Sequence, residues 1–161
     1  MPNLKVGDVF VIPLGQDKYA YGQYVFNDDY KAKNISEYTG HGCMVKIFNH
    51  ITENIKPFSE VIDKKEMFPY IFTGLVGAIE KKRWKVIGHA PIQNFTYPKF
   101  RKTFGLTDGK KNDWKIWDGK AMTFLGELPK EYLGLEKLCV WGYETLEKRI
   151  LRGTSGHENL T

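Results

Sequence analysis

The sequence predicts an α+β fold: a mostly antiparallel, strongly twisted β-sheet or partial barrel with two or three short helices. Two observations support this class. Runs of β-branched and aromatic residues alternate with Gly, Pro and Asp turn residues, and aromatic residues make up 14% of the chain. Helical periodicity is confined to two stretches, one of them C-terminal. A chain of 161 residues can bury its own core. We therefore predict one domain over residues 1–153, followed by a polar, disordered tail at 154–161.

The first predicted element is a β-hairpin over residues 6–26, with its turn at Gly15-Gln16-Asp17. Val9 and Val11 alternate along the first strand with Phe10 and Ile12, so both faces of that strand are apolar. A strand of this kind needs cover on both sides. We expect the rest of the chain to wrap around it.

Residues 54–65 predict a short amphipathic helix. Its apolar stripe has spacings of four, three and four, and consists of Ile51, Ile55, Phe58 and Ile62. Asn54 or Ser59 would cap the helix, and Pro57 is tolerated only in a first turn.

Three further strands are predicted at 42–48, 69–76 and 83–89, with a turn over 77–82. A small meander follows. Its edge strand lies at 100–106, and its turns are the two Asp-Gly dipeptides at 108–109 and 118–119. The remaining strands of the meander are predicted between and after these turns, at residues 113–117 and 121–125.

The C-terminal part predicts a buried strand at 137–141 and then a helix. Tyr143, Leu146 and Ile150 share one face of that helix, and Gly153 ends it.

Composition indicates a cytoplasmic protein. No run of eighteen apolar residues is present, and the N-terminus lacks the apolar region of a secretory signal. Two cysteines are too few for a disulfide framework. We expect no membrane partner.

Charge is concentrated in residues 81–120, which carry a balance of +8, whereas the other 121 residues carry −3. One hypothesis is a nucleic-acid-binding patch, because basic residues are interleaved there with Trp84, Phe100, Phe104 and Trp114. The alternative is a solvated outer face with the aromatic rings turned to the core. The patch would consist chiefly of Lys81, Lys82, Arg83, Lys110 and Lys111.

No catalytic constellation emerges from the sequence. The three serines lie in no nucleophile elbow, and the spacing of His41, Cys43 and His50 matches no usual zinc pattern. We predict no catalytic residue, no metal and no cofactor.

Several blocks resemble the immunity protein 26 family. GLEKLCVW at 134–141, followed by YETLEKRI at 143–150, is similar to its C-terminal signature, and GDVFVIPLGQDKYAYGQYVF at 7–26 is similar to its N-terminal hairpin. FTGLVGAIEKKRWKVIGHAPI at 72–92 and PKFR at 98–101 fall in the expected order. The signature positions are Gly7, Asp8, Tyr21, Gly22, Trp84, Gly134, Leu135, Glu136, Trp141, Glu147 and Arg149.

This resemblance implies a bacterial immunity protein of a polymorphic toxin system, which binds a cognate toxin domain stoichiometrically in the cytoplasm. We expect most signature positions to be structural, with Trp84 and Trp141 in the core and an ion pair between Glu136 and Arg149. Candidate partner-binding residues are Asp28, Asp29, Tyr30, Tyr38 and Tyr97. A basic chain suits an acidic or non-nucleolytic toxin. Alternatively, acidic residues of this basic chain would form the contact face, namely Asp28, Asp29, Glu37, Glu53, Glu60, Asp63 and Glu66.

Overall fold

The computed structural model describes residues 3–28, 42–103 and 114–153. The strands are β1 (Asp8–Gly15), β2 (Lys18–Asp28), β3 (Gly42–Ile47), β4 (Ile71–Thr73), β5 (Lys85–His89), β6 (Phe100–Lys102), β7 (Trp114–Trp117), β8 (Met122–Gly126) and β9 (Val140–Trp141). The helices are α1 (Phe58–Val61), α2 (Leu75–Glu80) and α3 (Tyr143–Arg152). These described elements confirm the predicted α+β class, and neither of their two sheets closes into a barrel.

The chain divides into two compact units. The first comprises Met1–Phe95 and Cys139–Thr154, and the second contains Thr96–Leu138. A single domain over 1–153 stays a prediction, and the tail at 154–161 lies outside the described residues.

The first unit is built on a six-stranded sheet with the order β5-β1-β2-β3-β4-β9. Neighbouring strands are antiparallel except for β4 and β9, where Phe72 pairs with Val140 in parallel. The predicted β1–β2 hairpin is confirmed. Its turn residues Gln16 and Asp17 have φ angles of 54° and 57°, the left-handed conformation that two-residue hairpin turns require.

Both faces of this sheet are apolar, as the residue pattern of β1 indicates. On one face, Phe10 and Ile12 join a core with Leu75 and Ala78 of α2 and Leu146 and Ile150 of α3. On the opposite face, Val9 and Val11 pack with Tyr21, Phe48 and Val61. Because Val61 is the last residue of α1, this short helix covers the second face near β1.

The central helices differ from the prediction. α1 spans four residues instead of 54–65, and its N-cap is Pro57 without a side-chain capping bond, so neither Asn54 nor Ser59 caps it. Ile51 and Ile55 lie before it and are 41% and 54% exposed, so they form no buried helical stripe. The strand predicted to reach residue 76 ends at Thr73, and α2 occupies much of the predicted turn.

The end of the first unit matches the prediction in part. The predicted strand at 137–141 is reduced to two residues, and Val140 is exposed. The predicted helix is present as α3. Leu146 and Ile150 are fully buried on one face, and Gly153 ends it with a φ of 65°.

The second unit is a three-stranded meander with the order β6-β7-β8, as predicted. Arg101 of β6 forms a parallel bridge with Lys137, so this edge of the sheet has a further neighbour. Trp114, Ile116 and Trp117 of β7 are buried. Asp118 closes the β7–β8 turn by accepting hydrogen bonds from the backbone N–H groups of Lys120 and Ala121. The Asp108-Gly109 turn lies outside the described residues.

Within the ranges that the structure describes, no helix is both long and apolar enough to cross a membrane.

Candidate interaction surface

A cleft of about 730 Å³ opens on the second face of the six-stranded sheet, beside the part that α1 covers. Its floor includes Gln23 and Val25 of β2 and Lys46 of β3. Gln23 and Lys46 lie directly opposite each other in the β2–β3 register, so both project from the same face. Two polar residues thus lie on a sheet face that is otherwise mostly apolar.

One wall of the cleft is the segment 62–66, which follows α1. Its backbone is tied to the residues that follow β3, since Asn49 N–H donates to the Lys65 carbonyl at 2.7 Å. Met67 N–H donates to the Ile47 carbonyl at 2.8 Å, and Glu66 forms a bridge with Phe48. These bonds hold Lys64 and Lys65 at the rim.

The opposite wall is the loop 90–94 after β5. The buried amide of Gln23 donates hydrogen bonds to the carbonyl oxygens of Ala90 and Gly7, at 3.0 and 3.2 Å. Ala90 N–H in turn donates to the Gly7 carbonyl at 3.0 Å. Gln23 therefore fixes the start of this wall from below.

An aromatic stack anchors the end of the same wall. The ring of Phe95 stacks on Phe26 with centroids 5.6 Å apart and on Tyr70 at 5.5 Å. Burial, with a smaller contribution from the negative charge of Glu66, raises the pKa of the Tyr70 phenol above its ordinary value. Tyr70 also lines the cleft, and it retains its proton at neutral pH as a hydrogen-bond donor.

The cleft has a positive balance of charge. Three ammonium groups, those of Lys46, Lys64 and Lys65, face two carboxylates, those of Asp63 and Glu66. Lys46 is half-buried, and its Nζ lies 4.8 Å from the centroid of the Phe48 ring. Such a concave, charged surface is suited to binding a charged group of a partner.

Of the five predicted partner-binding residues, the structure describes Asp28 and Tyr97. Asp28 is 1% exposed at the end of β2, and its part in partner binding stays a prediction. Tyr97 is half-buried, and its hydroxyl accepts a hydrogen bond from Nε1 of Trp117 at 3.0 Å. Asp29, Tyr30, Tyr38 and Glu37 lie outside the described residues. Among the other predicted acidic residues, Asp63 and Glu66 line the cleft, and Glu53 and Glu60 are exposed.

Two signature glycines occupy crowded backbone positions. Gly7 has a φ of +106°, and a Cβ there would lie 2.5 Å from the ring of His89. A Cβ at Gly22 would lie 2.5 Å from the ring of Phe10. Gly134, in contrast, has open space around it. Next to Gly7, the buried carboxylate of Asp8 contacts Nδ1 of His89 at 2.9 Å.

The buried signature side chains form hydrogen-bonded anchors. Tyr21 shares a 2.6 Å hydrogen bond with the hydroxyl of Thr52 and accepts one from Lys56 N–H at 2.9 Å. The Trp84 ring stacks on Phe10, and its Nε1 donates to Glu147 at 2.8 Å. Arg83 donates to both carboxylate oxygens of Glu147, at 2.8 and 2.6 Å, which raises the pKa of Arg83 above its ordinary value.

Trp84 and Trp141 are both in the core, as predicted. The guanidinium carbon of Arg149 lies 3.8 Å from the Phe68 ring centroid and 4.7 Å from that of Trp141. The predicted ion pair between Arg149 and Glu136 joins residues of different units and stays a prediction. In the second unit, the carbonyls of Leu135 and Glu136 accept hydrogen bonds from Arg101.

The structure describes only part of the predicted nucleic-acid patch. Lys81, Lys82 and Arg83 are exposed after α2, whereas Lys110 and Lys111 lie outside the described residues. Trp84, Phe100 and Trp114 are 1%, 1% and 7% exposed, so their rings are not available for stacking on bases. Among the described residues, no three His, Cys, Asp or Glu side chains converge to hold a metal ion.

The sequence does not predict the cleft, because five separate segments of the chain line it. The polar residues Gln23 and Lys46 were the available signal, since each interrupts a strand that is otherwise apolar. Their common face emerges only from the β2–β3 register.

Comparison with known proteins gives one match. Residues 5–114 match the family model described as Immunity protein 26. No curated protein and no solved structure matches the chain.

Proposed function

The chain belongs to the immunity protein 26 family, and we propose on this basis that it neutralises a cognate bacterial toxin by direct, stoichiometric binding. The family match over residues 5–114 is the observation that carries this proposal. In this proposal the protein acts in the cytoplasm as part of a polymorphic toxin system and performs no chemistry of its own. Binding alone suffices, because a protein seated on an active site or another essential surface excludes the substrate.

The fold supports such a role through the rigidity of its scaffold. The β1–β2–β3 strands are buried on both faces, and α3 is anchored through Glu147 to Trp84 and Arg83. A partner that binds a preformed surface loses little affinity to ordering it. The net charge of +5 at pH 7 favours association with an acidic toxin surface.

The test is a pull-down with the tagged chain from nuclease-treated lysate of the native bacterium. We expect a single protein domain to co-elute in near-equal amounts. That domain is then expressed in a test strain with and without the immunity chain, and growth is measured. Growth arrest by the domain alone and rescue by co-expression would support the proposal, whereas a domain that is harmless, or toxic with and without the chain, would refute it.

The same pull-down tests the nucleic-acid alternative, which now depends on exposed lysine and arginine residues such as Lys81, Lys82 and Arg83. Without nuclease, that alternative predicts co-eluting nucleic acid and no stoichiometric protein. Such binding would weaken steeply between low and moderate salt, because phosphate contacts release counterions.

A further inference from the structure

We propose that the cleft on the six-stranded sheet is the toxin-contact surface and that its occupant is an acidic loop of the toxin. This inference rests on the proposed function and goes beyond it, because it assigns a location and a charge to the contact. A cleft of about 730 Å³ has room for several side chains of a projecting loop.

Charge favours an acidic occupant. Lys46 lies on the floor, and Lys64 and Lys65 lie on the wall. A carboxylate that enters between them meets ammonium groups on two sides, in a concave site where less water screens the attraction than on an open surface. Asp63 and Glu66 occupy the same wall and repel a misplaced carboxylate, so they restrict where the acidic group can lie.

Neutral donors add specificity. The Tyr70 hydroxyl carries its proton at neutral pH as any phenol does, and burial and Glu66 raise its pKa further, so it can donate to a carboxylate. Gln93 and Asn94 present exposed amides on the opposite wall. The cleft thus combines lysine ammonium groups with neutral hydrogen-bond donors on the facing wall. This combination favours an anion over a cation.

The cleft is also preformed. Hydrogen bonds from Gln23 to Ala90, from Asn49 to Lys65 and from Met67 to Ile47 fix both walls to the sheet. These bonds exist in the free protein. Binding therefore loses little free energy to ordering the walls.

The decisive experiment compares two double charge reversals with equal changes in net charge. Lys64→Glu with Lys65→Glu alters the cleft, and Lys18→Glu with Lys130→Glu alters exposed lysines that do not line it. The probe is the toxin domain recovered with the wild-type chain, and calorimetry at physiological salt gives the Kd. We expect the cleft variant to bind about 100-fold more weakly or worse, and the control variant to stay within about 5-fold of wild type. Thermal melts must show that both variants fold.

A second measurement identifies the occupant. A zero-length carbodiimide reagent joins amines to carboxylates in contact, and mass spectrometry of the treated complex locates the links. We expect Lys46, Lys64 or Lys65 to be linked to Asp or Glu of the toxin. Links from Asp63 or Glu66 to toxin lysines would overturn the acidic occupant.

The outcomes separate the two proposals. Equal affinities of the cleft variant and the control variant would overturn the cleft as the contact surface and leave the immunity function intact. A wild-type chain that binds and neutralises no toxin would overturn both.

Discussion

The indole of Trp84 and the carboxylate of Glu147 meet in the core: Nε1 of Trp84 donates a hydrogen bond to Oε2 of Glu147 at 2.8 Å. The two residues are 63 positions apart, and the bond joins the segment before β5 to α3. Arg83 supplies the remaining donors to the same carboxylate. One carboxylate thus satisfies a buried indole and an arginine.

Replacing this carboxylate should destabilise the protein. We expect Glu147→Ala to lower the free energy of unfolding by about 2–3 kcal/mol, because the Trp84 N–H is left buried without its acceptor. Arg83 is 43% exposed and can turn to water, so little of this cost comes from its charge. Urea unfolding followed by tryptophan fluorescence measures the change.

Glu144 is the matched control for this substitution. It lies on the same helix, 3.8 Å from Arg83, and its side chain is 66% exposed. Glu144→Ala should cost less than about 0.5 kcal/mol. Equal losses for both variants would contradict the role assigned to burial.

The signature glycines should respond differently to an added methyl group. Gly22→Ala places a Cβ 2.5 Å from the Phe10 ring and 3.0 Å from the Lys46 carbonyl, so we expect a loss of about 1–3 kcal/mol from overpacking. Gly134→Ala meets no atom within 4 Å and should be neutral or slightly stabilising. The melting temperatures of the two variants measure this difference in stability. A lower melting temperature for Gly134→Ala than for Gly22→Ala would be inconsistent with the packing.

Arg149 combines a planar charge with two aromatic rings. Arg149→Lys keeps the charge and loses the flat contact with Phe68 and Trp141, so we expect a loss of about 1–3 kcal/mol. A double-mutant cycle of Arg149→Met, which removes the charge, with Glu136→Gln tests the ion pair predicted from the sequence. A coupling energy above about 1 kcal/mol would support that pair, and additive effects would refute it.

Asp118 should make the β7–β8 turn pH-dependent. Hydrogen bonds from the backbone N–H groups of Ala121 and Lys120 lower its pKa below the ordinary value. A carboxyl group whose pKa is depressed on folding contributes its stability above the unfolded pKa of about 4, and loses it as pH falls through the folded value. Asp118→Ala should therefore destabilise by less than about 1 kcal/mol at pH 7, and by less at pH 3 than at pH 7. Chemical denaturation at both pH values measures this, and an equal loss at both would argue against the mechanism.

The two cysteines should differ in reactivity. Burial raises the pKa of the Cys43 thiol above its ordinary value, whereas Cys139 is exposed. We expect iodoacetamide at pH 8 to label Cys43 at least about 10-fold more slowly than Cys139, because the thiolate is the nucleophile and access is restricted. The rates should converge in urea. Equal rates in the native protein would show that Cys43 is accessible.

Local patterns predicted the hairpin, the meander and α3 because turn residues and side-chain periods specify each of them within a few residues. α2 was not predictable in this way. Its six residues follow the apolar run of β4, and burial of Leu75 and Ala78 against the sheet stabilises the helix more than local preference does. The stripe of Ile51 and Ile55 was misleading for a related reason, since spacing alone does not require burial.

The candidate surface was less predictable than the fold. The sequence indicates Asp63 and Glu66 as candidate acidic contacts but not Lys46 and Gln23, because only the sheet register and the path of the 90–94 loop bring these residues together. Buried polar residues such as Glu147 have roles that depend on partners distant in the sequence.

The parallel pairing of β9 with β4 has a consequence for protein synthesis. Residues 96–138 separate the two parts of the first unit. Val140 and α3 therefore leave the ribosome long after the strands that they contact. A nascent chain that ends at residue 95 therefore exposes the apolar sheet face that Leu146 and Ile150 later bury. Each new molecule completes this core only after α3 has been synthesised, and termination before α3 would leave an apolar, aggregation-prone sheet face exposed.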